Sequence, residues 1–311
     1  MEKIQLRNSD LEVSRLCFGG CPMGGYGWGK VSEDDMIEAV QCAVDEGINF
    51  FDNADTYGLG KSEETLGKAL EGKRHQVVIG TKFGVRVENG RTFYDNSPEW
   101  IENALVNSLR RLHTDYIDLY QVHYRDRITP ISCVVDVLRG LQKKGYIRYF
   151  GLSNVYQNDL TELREFVGEF VSFQNEYSLA CRKNEGDMLY LSRELMMTPM
   201  TWGSLGQGIL TGKYDKNVVF GKDDRRSREI YVNFHGEKLL SNLEIVETLK
   251  TIAGKEKKSV PSVAIRWILD YLPESVVITG IKNKKQLYGN MEALGWHLCD
   301  VDIEQLEKIS K

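Results

Sequence analysis

Several absences narrow the field before any motif is read. The six cysteines, at positions 17, 21, 42, 133, 181 and 299, form no C-x-x-C and no paired spacing. Neither a disulfide framework nor a zinc site is therefore implied. No G-x-G-x-x-G follows the first strand-like run, so the usual Rossmann phosphate loop is missing. No apolar stretch is long enough to cross a bilayer, and the opening MEKIQLRNSD holds no signal-peptide core. Charge of one sign is scarce too: 40 Lys+Arg against 45 Asp+Glu leave a net −5. That argues against a nucleic-acid partner. The expectation is a cytoplasmic protein with no membrane partner, no metal and a small-molecule substrate.

What is present suits a large α/β core, with 41% hydrophobic and 27% charged residues in 311. Eight apolar strand-like runs recur: RLCFGG, INFFDNA, QVVIGTKFG, YIDLYQVHY, IRYFGLSN, FVSFQNEYS, MMTPMTWGS and SVVITGIK. Helical patterns lie between them. Ser32 is placed to cap a helix whose inner face is Met36, Val40, Ala43 and Val44, and Gly47 stops it. Ser97 and Pro98 open another, with Ile101, Leu105, Leu109 and Leu112 on one face. Pro130 opens a third that runs to Gly145. Strand then helix, eight times, reads as a single (β/α)8 TIM barrel over residues 1–311. Two Rossmann-like halves are the rival, weakened by the missing glycine motif. The opening KIQLRNSDLEVSRL reads as a short β-hairpin turned at Asn8-Ser9-Asp10. A long polar insertion, from about Tyr214 to Gly236, reads as a solvated surface loop.

In such a barrel the active site lies at the C-terminal ends of the strands. The second strand ends at Asp52, with Tyr57 in the loop beyond; the third ends at Lys82 and the fourth at His123. A carboxylate at the tip of an apolar strand is costly unless paired. Lys82, one strand over, is its natural partner. Lys82 then sits beside the phenol of Tyr57, and a cation there lowers the phenol pKa from about 10. Tyr57 thereby becomes a usable general acid, while neutral His123 donates to the oxygen of a bound carbonyl. No protein nucleophile stands ready to attack the carbon, which points to a hydride-donating cofactor. Taken alone, Tyr57 and His123 would more often be structural, and the Asp52–Lys82 pair is as often structural as functional. The four at consecutive strand ends carry the reading together.

With these residues in hand, the chain resembles the aldo-keto reductase family along nearly its whole length. The motifs are FDNADTYG, GTKFG, LYQVH, RYFGLSN, FQNEYSL, GSLGQGILTGKY and GIKNKKQLYGN, in the family's order. The resemblance implies a reductase that uses NADPH/NADP+ without a Rossmann fold, with the family's tetrad on Asp52, Tyr57, Lys82 and His123. It implies cofactor contacts from Gly20 and Asp52, and from Ser153, Asn154 and Gln174 to the carboxamide. Trp202 would stack on the ring. Gly203, Ser204, Leu205, Gln207, Gly208 and Lys213 would meet the pyrophosphate. Lys282, Gln286 and Asn290, in the C-terminal loops, would meet the adenosine end and its 2′-phosphate. Three departures stand out: Gly203 lacks a hydroxyl frequent there, Gly289 replaces a common acidic residue, and Asn53 replaces a frequent Thr. Tyr26, Trp28, Phe83 and Tyr124 are the candidate pocket residues for an aldehyde, ketone or sugar-like carbonyl.

Two other classes compete. Some members of the family are channel-associated subunits that bind the cofactor and turn over slowly, so a regulatory cofactor-binding subunit is the alternative. A barrel hydrolase or isomerase with paired carboxylates is the third, and Asp126 is its only candidate partner for Asp52.

Overall fold

Strands that are apolar on both faces must be covered on both faces. In the computed structural model, which describes residues 1–311, the eight runs are covered in that way. A hairpin of β1 (Lys3–Gln5) and β2 (Glu12–Ser14) precedes the barrel, as expected. The barrel strands are β3 (Leu16–Gly19), β4 (Phe50–Asp52), β5 (Val78–Phe83), β8 (Ile117–Val122), β9 (Ile147–Ser153), β10 (Phe170–Glu176), β11 (Thr198–Trp202) and β12 (Val276–Gly280). All pair in parallel in chain order, and β12 closes the ring on β3 from Val277↔Leu16 to Gly280↔Gly19. A second hairpin, β6 (Val85–Glu88) and β7 (Arg91–Tyr94), stands above β5. It was not anticipated, although its Asn89-Gly90 turn, with both φ positive, is a strong hairpin signal.

The helices are α1 (Glu33–Asp45), α2 (Lys61–Ala69), α3 (Pro98–Leu112), α4 (Ile131–Lys143), α5 (Leu160–Leu163), α6 (Glu185–Glu194), α7 (Gly236–Glu256), α8 (Val260–Tyr271), α9 (Lys284–Met291) and α10 (Asp300–Ser310). The expected caps form: Ser32 accepts from Asp35 N–H, and Ser97 from Trp100 N–H. No helix is long and apolar enough to cross a membrane.

Strand alternation divides the apolar residues into two cores. Sixty-four buried residues lie in the larger one, which includes Phe51, Ile79 and Tyr120 and fills the space under the helices. Eleven form the smaller, among them Phe50, Val78, Leu119 and Met200, joined by Leu6, Leu11 and Val13 of the N-terminal hairpin. This smaller core is the barrel's interior floor, with the hairpin sealing it from below.

The insertion between β11 and α7 is not the solvated loop expected. Asp224, Arg226, Asn233 and Phe234 are buried. Arg226 forms a double contact with Asp224, at 2.8 and 2.5 Å, and its guanidinium lies 4.4 Å from the Phe220 ring centroid. The polar composition hides a strap whose charges satisfy one another. The strap docks on the loop after β3, where Arg225 N–H donates to the Gly27 carbonyl at 3.0 Å and Trp28 meets Tyr231 edge-on at 6.0 Å.

A second crossing fixes the loop that carries Tyr57. A Cβ on Gly58 (φ 61°) would lie 2.2 Å from the Gly24 carbonyl oxygen, and one on Gly24 would lie 2.6 Å from Gly58 N. Gly58→Ala should therefore lower the unfolding free energy by at least about 2 kcal/mol, from left-handed strain plus the backbone clash. Gly90→Ala, at φ 74° with open space around it, should cost only about 1 kcal/mol. Urea unfolding compares them, and equal costs would show that the crossing is not tight.

Candidate active site

Above the apolar floor, the same alternation brings a polar layer inward: Asp52 two residues after Phe50, Gln121 two after Leu119, and Lys82 four after Val78. Lys82 Nζ lies 2.6 Å from Asp52 Oδ2, 2.6 Å from the Asn53 carbonyl and 3.3 Å from Tyr57 Oη. The other Asp52 oxygen accepts from Gln174 Nε2 at 2.6 Å and Gln121 Nε2 at 3.1 Å. The Tyr57 and His123 rings meet edge-on at 5.8 Å. His123 is pinned through its backbone: its N–H donates to the Phe83 carbonyl and its carbonyl accepts from Asn154 Nδ2. Its Nδ1 is buried without a partner. Tyr124 stacks on His123, and Tyr94 of the second hairpin stacks on Tyr124, each at 5.1 Å. The tetrad therefore converges as read from the sequence.

The electrostatics correct one expectation. Burial chiefly, with Cys21 and Asp52 adding, pushes the Tyr57 phenol well above the usual tyrosine range rather than below it. Lys82 does not reverse this, because Asp52 and the Asn53 carbonyl already hold its charge. Burial, then Lys82, pushes His123 well below the usual histidine range, so its imidazole is neutral.

Other candidates sort by where alternation and tertiary partners put them. Phe83 is not in the pocket. With Lys82 inward, Phe83 faces the helices and packs on Tyr120 at 4.7 Å, fully buried. The Ser204 hydroxyl turns into the barrel wall, within 3.0 Å of the Thr201 carbonyl and 2.8 Å of the Ile278 carbonyl. Gln207 bridges Glu176 and Asn233 at 2.8 and 2.6 Å. Gln286 Oε1 accepts from Lys282 N–H at 3.0 Å. The Ser204 and Gln207 side chains are thereby engaged within their loops, whereas Gln286 keeps its Nε2 without a protein partner. Ser153 donates to the Gln174 carbonyl at 3.3 Å, and Asn154 Nδ2 also reaches Ser153 Oγ. Gly20 N–H donates to the Asp52 carbonyl at 2.7 Å. Asn290 is buried on α9. Tyr26 is exposed beneath the Arg225 guanidinium, and Trp28 holds its indole N–H without a partner. Asp126 does not pair with Asp52; its oxygens accept from Asn96, Ile128 and Thr129. That removes the second carboxylate a paired-acid site needs.

Trp202 ends β11, four strands from Lys82 around the ring and so across the mouth from it. Its indole N–H is buried and unpartnered. Next to it, the backbone N–H groups of Ser204 and Leu205 have no backbone partner. Gly203, Gly206 and Gly208 take positive φ and keep the chain of this loop tightly turned. Lys213 lies over the Tyr214 ring at 4.8 Å. Lys282 donates to the Trp28 carbonyl. Burial, then Arg226 and Lys213, lowers its pKa to about 8 against the pull of Asp224.

Comparison with known proteins decides the family. Residues 15–311 match the Aldo/keto reductase family. The chain belongs to the aldo/keto reductase family. It is 35% identical over 312 residues to an aldo-keto reductase of Bacillus subtilis, covering 99% of this chain and 93% of that one. It is 31% identical to the NADH-specific methylglyoxal reductase of Escherichia coli, covering 100% and 99%. The solved glycerol dehydrogenase of Gluconobacter oxydans superposes with a TM-score of 0.89 at 33% identity, covering 99% and 94%. Aldo/keto reductases are oxidoreductases that work with nicotinamide cofactors, and the mouth fits such a group. Gln174 Oε1 is a buried acceptor with no partner. The free N–H groups of the glycine-rich loop and the cations Lys213 and Lys282 suit phosphates.

Sequence reasoning missed Gln121 and the Asp224–Arg226 pair of the strap. A polar residue inside an otherwise apolar strand was the available signal for the first. For the second there was none, since its burial depends on docking across the mouth. The ion pair itself yields a stability test. Lys82→Met leaves Asp52 buried without its counter-charge, which should cost about 3–5 kcal/mol. Tyr57→Phe should change stability by less than about 1 kcal/mol. Similar losses in thermal or urea unfolding would show that Asp52 is not held by Lys82.

Proposed function

We propose that the chain is an NADPH-dependent aldo-keto reductase that reduces the carbonyl of a small aldehyde or ketone, sugar-like carbonyls included, with Tyr57 as proton donor. One observation carries the reading. A phenol, an ammonium and a carboxylate form one buried chain beside a neutral imidazole, with no protein nucleophile among them. When bound, the reduced nicotinamide supplies hydride to the carbonyl carbon. Tyr57 gives its proton to the carbonyl oxygen. Lys82, 3.3 Å from the phenol oxygen, stabilises the phenolate left behind. His123, kept neutral, offers an N–H to the same oxygen without adding a competing charge. Asp52 keeps Lys82 aimed at the phenol.

The chain's own groups also account for cofactor retention. Gln174, with Ser153 and Asn154 behind it, would meet the carboxamide, and Trp202 would cover one ring face. Ser204 and Leu205 N–H groups with Lys213 would hold the pyrophosphate, and Lys282 the 2′-phosphate. Gln286 would act by holding the Lys282 backbone, with buried Asn290 behind it. The support for NADPH over NADH is the positive charge of Lys282 with Lys213 and Arg226 beside it, offset by the Asp224 carboxylate. The NADH-specific relative makes this the point to test.

Four outcomes are expected. Tyr57→Phe should lower carbonyl reduction by at least about 10²-fold with little change in cofactor affinity; near-normal turnover would refute the acid assignment. With saturating cofactor, kcat for reduction should stay level from about pH 6.5 to about pH 10. Raised Tyr57 keeps its proton as pH climbs, and lowered His123 stays neutral as pH falls. NADPH affinity should weaken as pH rises through about 8, where free Lys282 loses its proton. Lys282→Ala should lose roughly 1–3 kcal/mol for NADPH and much less for NADH. Equal losses would assign Lys282 to the shared pyrophosphate.

A further inference from the structure

Gln121 is fully buried in the middle of the barrel, and two glycines make room for it. A Cβ on Gly80 of β5 would lie 3.3 Å from Gln121 Nε2, and one on Gly151 of β9 would lie 3.3 Å from Gln121 Cγ. Its register partners are Lys82 on one side and Gly151 on the other. From this slot it reaches across strands that do not touch. Its Nε2 donates to Asp52 Oδ1 on β4 at 3.1 Å, and its Oε1 accepts from Gln174 Nε2 on β10 at 2.8 Å. Gln174 Nε2 donates to Asp52 Oδ1 as well, at 2.6 Å. Both N–H groups of Gln174 are thus committed, and its Oε1 remains buried with no partner. The amide directions are mutually enforced. Turning either amide over would set its oxygen against a carboxylate oxygen.

We propose that Gln121 is a positioning residue: it braces Asp52 against Gln174 so that Gln174 meets the nicotinamide carboxamide only as an acceptor. The proposal rests on the cofactor reading above. It makes the two halves of the site, the Asp52–Lys82–Tyr57 chain and the ring holder, one hydrogen-bonded unit. Its consequence is selectivity for a ring substituent that carries an N–H donor.

The test compares the affinity of the whole protein for NADP+ and for the acetylpyridine analogue, whose methyl ketone has no N–H, by titration calorimetry. The wild type should prefer NADP+ by about tenfold or more, the scale of one hydrogen bond to a buried acceptor. In Gln121→Met the second N–H of Gln174 is released and can meet the ketone, so the preference should shrink at least threefold. Gln121→Asn keeps polarity but is one methylene too short, and should shrink the preference likewise if the Met variant does not fold. Gln121→Glu, protonated beside a carboxylate, still donates to Asp52 and accepts from Gln174, and should retain the wild-type ratio. A structural filler would change melting temperature in these variants without moving the ratio. An unchanged ratio in folded Gln121→Met or Gln121→Asn overturns the proposal, as does a wild type with no preference. A wild type that binds neither dinucleotide overturns the cofactor reading as well, and is recognised before any variant is made.

Discussion

Two opposite charges 2.6 Å apart, on Asp52 and Lys82, organise the mouth of the barrel. Both are almost completely buried. A pair in that setting adds little net stability, because desolvation offsets most of the attraction. What it does provide is direction. Lys82 faces the phenol of Tyr57, while the free oxygen of Asp52 gathers the amides of Gln121 and Gln174. Lys82, Gln121 and Gln174 are then each one bond from the same buried carboxylate. The apolar floor under them keeps the local dielectric low and the arrangement rigid.

The mouth is completed by chain crossings rather than by further charge. The loop after β3 passes under the strap at Gly27 and over the Tyr57 loop at Gly24. It therefore links the cationic side, with Lys282 and Arg226, to the phenol side. Neither contact leaves room for a side chain: at Gly24 the opposing atoms are the backbone of Tyr57 and Gly58, and at Gly27 they belong to the Arg225 side chain. Backbone thickness therefore sets the first crossing, and the packing of Arg225 sets the second.

The barrel was legible because parallel strands buried on both faces are written as apolar runs, and all eight were found. The tetrad was legible because polar residues at the tips of such runs need partners. Phe83 was misread for want of counting: neighbours in a strand cannot both face inward, and Lys82 had already claimed the inside. Ser204 and Gln207 look free in the sequence. Ile278 and Asn233, distant in the chain, and Glu176 on a neighbouring strand take them up. The direction of the Tyr57 shift was unreadable for a related reason. It depends on how deeply the phenol is enclosed, and its neighbours Cys21, Asp52 and Tyr124 come together only in the tertiary fold. Gln121 could have been placed by counting two residues back from His123 to the inner layer, beside Lys82.

The N-terminal hairpin gives the barrel a closed end. Leu6, Leu11 and Val13 meet Phe50, Val78, Leu119 and Met200, so the interior is a blind well, open only at the top. Water cannot file through from below. In the reaction proposed here, Tyr57 must recover its proton after each turnover, and the only aqueous route to it passes through the mouth that the ligands themselves occupy. In that reaction, reprotonation would be coupled in time to product departure, and the sealed far end of the barrel would give the cycle a fixed order of exit and recharge.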